Sequence, residues 1–274
     1  MKKAFHALTA LIGGISRRPR LASYDVATLP SRTKGLQFGT QNHSNHNTSL
    51  CEDTEATNPL EAYFASHHTG PGIFKWEHYF EIYHRYLSKF VGREAHLLEV
   101  GIYSGGSLQM WRSYLGDKAH IYGVDIEEAC RAYETAGTKI FIGDQCDRSF
   151  WRRVKREVPT IDVVIDDGGH LPEQQIATFE EMFPHIRPGG VYICEDIHGR
   201  ANRFAAYVHG LSSNLHTASF APDANRELSV TASHAQATIR AIHQYPFVVV
   251  IEKNSPPRRS LQARRHGSQW QPFM

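Results

Sequence analysis

An apolar run, Leu97-Leu98-Glu99-Val100, leads into Gly101-Ile102-Tyr103-Ser104-Gly105-Gly106-Ser107, and a second apolar run ends at Gly123-Val124-Asp125. This is the pattern of a strand, a glycine-rich turn, a helix and a second strand. From here onward the two kinds of element alternate. Strands are expected at 96–101, 120–125, 138–143, 161–166 and 190–195, and helices at 105–115, 127–136, 147–157, 172–185 and 201–211. Runs such as Val163-Val164-Ile165 lack polar alternation, as suits parallel strands buried on both faces. The alternation predicts an α/β fold with a doubly wound sheet. Right-handed crossovers put the C-terminal ends of its parallel strands on one edge, where ligands bind. Two further runs, 236–243 and 245–252, are too close together for a crossover and are expected to close the sheet as an antiparallel hairpin.

The first turn has the features of a binding loop. Glycine permits a tight turn and close backbone approach. The helix start at Gly105-Gly106-Ser107 offers unpaired N–H groups to a carboxylate or phosphate. Asp125, at the end of the next strand, is placed to hold the hydroxyls of a ribose. An adenosine-containing cofactor is therefore expected. A dinucleotide fingerprint requires glycine where Tyr103 stands, and the bulk of that residue argues against a pyrophosphate. Gly143-Asp144-Gln145, after the third strand, suits the adenine amino group, since a carboxylate and an amide oxygen both accept from it.

Carboxylates recur at the strand ends: Asp125, Asp144, Asp166-Asp167 and Glu195-Asp196. Neighbouring parallel strands lie about 4.8 Å apart, so Asp167 and Glu195 or Asp196 can converge. Hard oxygen ligands with open positions suit Mg²⁺. No Cys-x-x-Cys spacing exists among Cys51, Cys130, Cys146 and Cys194, so neither zinc nor a disulfide framework is indicated. The last three lie in segments read as core, where cysteine acts as a small hydrophobe. Gly168-Gly169 then turns the chain and aims His170 back at the strand end, as a general base titrating near neutrality.

The pattern E-x-G-x-x-x-G-G-S resembles the first motif of class I S-adenosylmethionine (SAM) methyltransferases. Val164-Ile165-Asp166-Asp167-Gly168-Gly169-His170 and Arg187-Pro188-Gly189-Gly190-Val191-Tyr192-Ile193-Cys194-Glu195-Asp196 resemble the metal-dependent sugar O-methyltransferases of macrolide biosynthesis, the mycinamicin type. The likeness covers roughly residues 73 to 253. It implies a seven-stranded, mostly parallel, Rossmann-like sheet whose last two strands are the hairpin. It also implies SAM held by Glu99, Gly101, Tyr103, Gly105, Ser107, Asp125, Asp144 and Gln145, and Mg²⁺ held by Asp167, Glu195 and Asp196, with His170 as base. Gly169 departs from the family's usual serine. The N-terminal region does not resemble the family's auxiliary domain.

The resemblance implies an enzyme that methylates a hydroxyl of a sugar or other polyol-type small molecule in natural product biosynthesis. An NAD(P)-dependent oxidoreductase and a non-catalytic SAM-fold partner protein are the alternatives. Residues 197–235, with His198, Arg200 and His216, are expected to build part of the acceptor pocket.

Outside this region the sequence says less. A net charge of +2 over 274 residues gives no general reason to invoke nucleic acid or membrane partners. A cytoplasmic setting is expected, and homo-oligomerisation is left open. Three domains are drawn: a poorly ordered polar arm at 1–56, a methyltransferase domain at 57–255 with a helical lid at 57–90, and a basic tail at 256–274. Met1-Lys2-Lys3 and the arginines near it give the arm a faint likeness to a targeting segment. The His43 and His46 pair reads as solvated loop. In the lid, Trp76, Tyr79, Phe80, Tyr83 and Tyr86 recur at helical spacing as a stripe read as core, with Lys75-Trp76 and His78-Tyr79 placed to cover a cofactor.

Overall fold

The computed structural model of the chain describes residues 21–41, 58–199, 201–217, 220–222, 228–264 and 266–269. The chain divides into two compact units, residues 1–54 with 266–274, and residues 55–265. In the smaller unit Leu21–Gln41 form a helix despite Pro30, with the side chains of 29–40 exposed. An irregular arm was expected here. A helix without an apolar face has no periodicity to show. His43, His46 and Cys51 lie outside the described residues.

The larger unit holds a seven-stranded sheet. Its strands are β1 (His96–Val100), β2 (His120–Asp125), β3 (Thr138–Ile142), β4 (Ile161–Asp166) and β5 (Ile186–Cys194), with β6 (Phe220–Pro222) and β7 (Leu228–Thr231) lying elsewhere, then β8 (Ile239–Tyr245) and β9 (Val248–Lys253). The order is β3-β2-β1-β4-β5-β9-β8. The first five strands pair in parallel, and β9 runs antiparallel to both β5 and β8. This is the doubly wound sheet with its closing hairpin.

Alternate residues along the strands supply two cores, as the pleat requires. Leu97, Val163, Ile165, Val191 and Ile193 pack with helices Tyr79–Leu87 and Gly106–Leu115. Leu98, Val100, Val164, Tyr192 and Cys194 pack on the other face with helices Arg148–Glu157, Pro172–Met182 and Arg203–Leu215. All six residues of β4 are buried, which explains why its sequence shows no alternation.

Several details differ from the expectations. The lid is two helices, Pro59–Ser66 and Tyr79–Leu87, because Gly70-Pro71-Gly72 interrupts the chain between them. Between β2 and β3 only a 3-10 helix forms, over Glu128–Tyr133. The stretch read as a basic tail contributes strand β10 (Ser260–Ala263), which pairs with β7 in a small antiparallel sheet of order β10-β7-β6. Cys130 and Cys194 are buried, whereas Cys146 is exposed in the turn after β3. No helix among the described residues is long and apolar enough to cross a membrane.

Strand β1 is hydrogen-bonded to both β2 and β4, so consecutive crossovers leave it in opposite directions. The crevice at that reversal is where an open α/β sheet binds its ligand.

Candidate active site

A cavity of about 640 Å³ opens at this crevice, lined by Gly101, Tyr103, Ser107, Asp125, Asp144, Gln145, Asp167, His170 and Asp196, among others. Two glycine-bearing turns form its floor. Gly101 has φ +80°, and a Cβ there would overlap the carbonyl of Asp167, so the first loop and the end of β4 can touch only through glycine. The Asp125 carboxylate accepts from the backbone N–H groups of Ile102 (3.0 Å), Tyr103 (3.1 Å) and Glu127 (3.0 Å). It thereby fixes the loop, and with about four acceptor positions on a carboxylate it keeps capacity for a ligand.

Of the expected cofactor set, Glu99 and Gly105 do not line the cavity, and Tyr103 and Gln145 line it in ways the sequence did not show. Gly105 is covered by the ring of Tyr133, and a side chain on Gly106 would collide with the carbonyls of Pro71 and Gly72. That glycine pair accommodates protein packing, and Gly105 does not line the cavity. Glu99 is fully buried beneath the cavity, accepting from Ser107 Oγ at 2.7 Å. Tyr103, at φ +42°, lines the cavity and is 80% exposed. The Gln145 amide is committed inward: its Nε2 donates to Asp166 Oδ1 and Thr178 Oγ1, both at 3.1 Å, and its Oε1 accepts from Gly169 N at 2.8 Å. Asp144 alone of that pair keeps an exposed side chain at the cavity, although its Oδ1 accepts from Cys146 N.

The acidic edge is assembled by sheet register. Asp167 N donates to Val100 O and Glu195 N to Asp166 O, both at 2.9 Å, so the ends of β1, β4 and β5 lie side by side. Asp166 turns inward, held by Tyr192 OH at 2.8 Å and by Gln145; burial raises its carboxyl above the usual range. Asp167, His170 and Asp196 converge on the cavity side, each offering a ligand atom within 4.8 Å of the others. His170 sits in a left-handed turn at φ +56°. Its Nε2 lies 3.6 Å from Asp196 Oδ2, while its Nδ1 is buried with no partner among the described residues.

Glu195 is fully buried, and between it and Asp167 stands a cation of the protein's own. Lys75 Nζ lies 2.6 Å from Asp167 Oδ2, 3.0 Å from Glu195 Oε2 and 3.5 Å from Glu99 Oε1, with its side chain 3% exposed. Burial alone would lower the Lys75 pKa, but Glu195, Asp167 and Glu99 outweigh it and hold the ammonium well above its usual value. Burial raises the Glu195 carboxyl; Lys75 counters part of that rise and neighbouring Asp167 adds to it. Tyrosine hydroxyls complete the cluster: Tyr83 donates to Glu195 Oε1 at 2.6 Å, and Tyr79 to Asp196 Oδ1 at 2.8 Å. Trp76 Nε1 donates to the same Asp196 oxygen at 3.1 Å. The aromatic stripe of the lid is therefore both core and clamp. Periodicity revealed the stripe, but nothing local in the sequence marks its hydroxyls, or Lys75, as partners of distant carboxylates.

The hairpin tip reaches the same rim. Phe247 lies 5.4 Å from Trp76 and 4.7 Å from His198 between ring centroids, and His198 Nε2 is 3.5 Å from Asp196 Oδ1. His198 thus stands beside Asp196 without lining the cavity. Arg200 lies outside the described residues, and His216, at the end of helix Arg203–Leu215, does not line the cavity.

The donor set passes a test for a hard divalent cation. Carboxylate oxygens from two adjacent strand ends already enclose a positive charge at ion-pair distance, with no thiolate among them.

Residues 98–197 match a family described as a methyltransferase domain. The chain is 37% identical over 122 residues to a demethylmacrocin O-methyltransferase of Streptomyces fradiae, covering 42% of this chain and 30% of that protein. It is 35% identical, over the same length and the same shares, to the mycinamicin VI 2''-O-methyltransferase of Micromonospora griseorubida. In fold it is similar to the MycE methyltransferase of the mycinamycin biosynthetic pathway, solved in complex with Mg and SAH. The TM-score is 0.58 at 25% identity, covering 72% of this chain and 54% of that one. The chain spans about half or less of the length of these relatives. The resemblance read from the motifs is thus found again in sequence and in fold.

Proposed function

We propose that this chain is a SAM- and Mg²⁺-dependent O-methyltransferase acting on a hydroxyl of a sugar or other polyol-type small molecule. One observation carries the reading: Asp167, His170 and Asp196 converge within 4.8 Å on a cavity of about 640 Å³ at the sheet's reversal point, with buried Glu195 joined to Asp167 through Lys75. The relatives, named for O-methylation of demethylmacrocin, of mycinamicin VI and of L-olivosyl-oleandolide, support a small-molecule hydroxyl as acceptor.

Asp125 and Asp144 would face the adenosyl part of the donor, with Gly101 and Ser107 forming the wall behind it. Asp167, Glu195 and Asp196 would hold the ion. When bound, the donor supplies an electrophilic methyl group, and the ion acidifies and orients the acceptor's oxygens. His170 Nε2, 3.6 Å from the Asp196 carboxylate, takes the hydroxyl proton. Gly168-Gly169, tied to Gln145, keeps that ring in place. Much of the acceleration comes from holding both reactants in contact. His198, Trp76 and Phe247 at the rim would bear on acceptor choice. The setting is cytoplasmic.

Calorimetric titration with SAM, with and without Mg²⁺, tests the reading together with methyl transfer from labelled SAM to a panel of sugar-bearing small molecules. We expect SAM to bind in both conditions and transfer to require Mg²⁺. Undiminished transfer in excess chelator would overturn the metal, and binding of NADH in preference to SAM would overturn the donor.

A further inference from the structure

The Lys75 ammonium occupies the place that a divalent ion would take. It touches Asp167 and Glu195 at 2.6 and 3.0 Å, and its side chain is almost wholly buried. An ion bound to those carboxylates would sit about 2.0–2.1 Å from its oxygens. Ammonium and ion would then share one oxygen pair, with two positive charges within a few ångströms and no water between them.

Lys75 is carried on a connection between two helices, in which Ile73 packs on the core and Trp76 donates to Asp196. Residues 69–76 form neither helix nor strand, Gly70 lies at φ +92°, and the neighbouring Phe74 is 93% exposed. The rest of the clamp is anchored: Tyr79 and Tyr83 belong to a buried helix, and their hydroxyls reach Asp196 and Glu195 independently of Lys75. Gly72, Ile73, Phe74 and Lys75 also line the cavity, so any displacement of Lys75 alters the donor's wall.

We propose that Lys75 is an internal placeholder for the metal: a divalent ion and the Lys75 ammonium exclude one another, and ion binding drives the Lys75 side chain out of the carboxylate cluster, while Trp76 keeps its hydrogen bond to Asp196. The metal-free carboxylates thereby keep a cation of the protein's own, and loading the ion alters the cavity wall at Lys75. This inference rests on the metal dependence proposed above.

The test uses the full chain with Mg²⁺ alone. Pulsed acetylation of amines, read by peptide mass spectrometry, should find Lys75 protected in chelator and modified at least 5-fold faster at saturating Mg²⁺, while exposed Lys139 is unchanged. By calorimetry, Lys75→Met should bind Mg²⁺ at least 10-fold more tightly than wild type. Should that variant fail to fold, the labelling of wild type decides alone. Wild type that binds Mg²⁺ while Lys75 stays protected would overturn the placeholder and leave the metal-dependent reading standing. Wild type that binds no Mg²⁺ would overturn both.

Discussion

His170 illustrates how little a residue's identity says without its place. A histidine after two glycines is common, but here the turn starts where β4 ends, and the imidazole points its Nε2 toward the Asp196 carboxylate with its Nδ1 buried and unpartnered among the described residues. If it is the base, its loss should strike turnover and spare binding. His170→Ala should retain SAM affinity by calorimetry and lose about 10²–10⁴-fold in turnover, the usual worth of a positioned general base. Turnover close to wild type would reassign it to a positioning or ligating role. Gly101 shows the opposite case, a residue whose function is to have no side chain, since only glycine lets the first loop meet the Asp167 carbonyl.

At the level of elements, the parallel strands and the hairpin were legible because burial on both faces and a connection too short for a crossover leave plain marks in sequence. The acidic strand ends were legible for the same reason: fixing the strands fixes the edge. The division of labour among those acids was not. Whether Asp166 or Asp167 faces the cavity depends on which way the chain turns after β4, and that turn is set by Gln145, a residue of another connection. Nor could spacing reveal that Lys75 crosses to β4 and β5, because ion pairs between distant segments have no period. The helix Leu21–Gln41 and strand β10 were missed because neither carries an alternating apolar face. The Gln145 brace can be probed directly. Gln145→Ala removes the acceptor of Gly169 N and a donor to buried Asp166, leaving buried polar groups unpaired at about 1–3 kcal/mol. Chemical denaturation should register that loss. Turnover should fall further than SAM affinity, because the brace holds the base's turn; a variant with lowered stability but unchanged turnover would show that the turn holds itself.

Across the whole molecule the two edges of the sheet differ in their response to acid. At the ligand edge, burial raises the carboxyls of Glu99, Asp166 and Glu195, so the folded state there holds protons more tightly than the unfolded chain. That contribution to stability is present below the unfolded carboxylate pKa of about 4.3 and is lost as pH rises. At the opposite edge, burial, then His120 and Arg187, lowers the His96 pKa, and burial lowers that of His185. These groups resist protonation when folded, so their contribution is complete above the unfolded histidine value near 6.5 and is lost as pH falls below it. The histidines' share predicts a melting temperature that declines as pH is lowered from about 7.5 to 5.5, opposed over the same range by Glu195, pushed up to about 8, and His96→Asn should flatten that decline. Turnover of the variant at neutral pH should stay near wild type, because His96 opens β1 at the end remote from the carboxylates. An undiminished slope in His96→Asn would place the acid sensitivity elsewhere, with His185 the next group to replace. A slope of the opposite sign in wild type would mean that the buried carboxyls dominate even near neutrality. In that case Mg²⁺, by stabilising their ionised forms, should raise the melting temperature most at the alkaline end of the range.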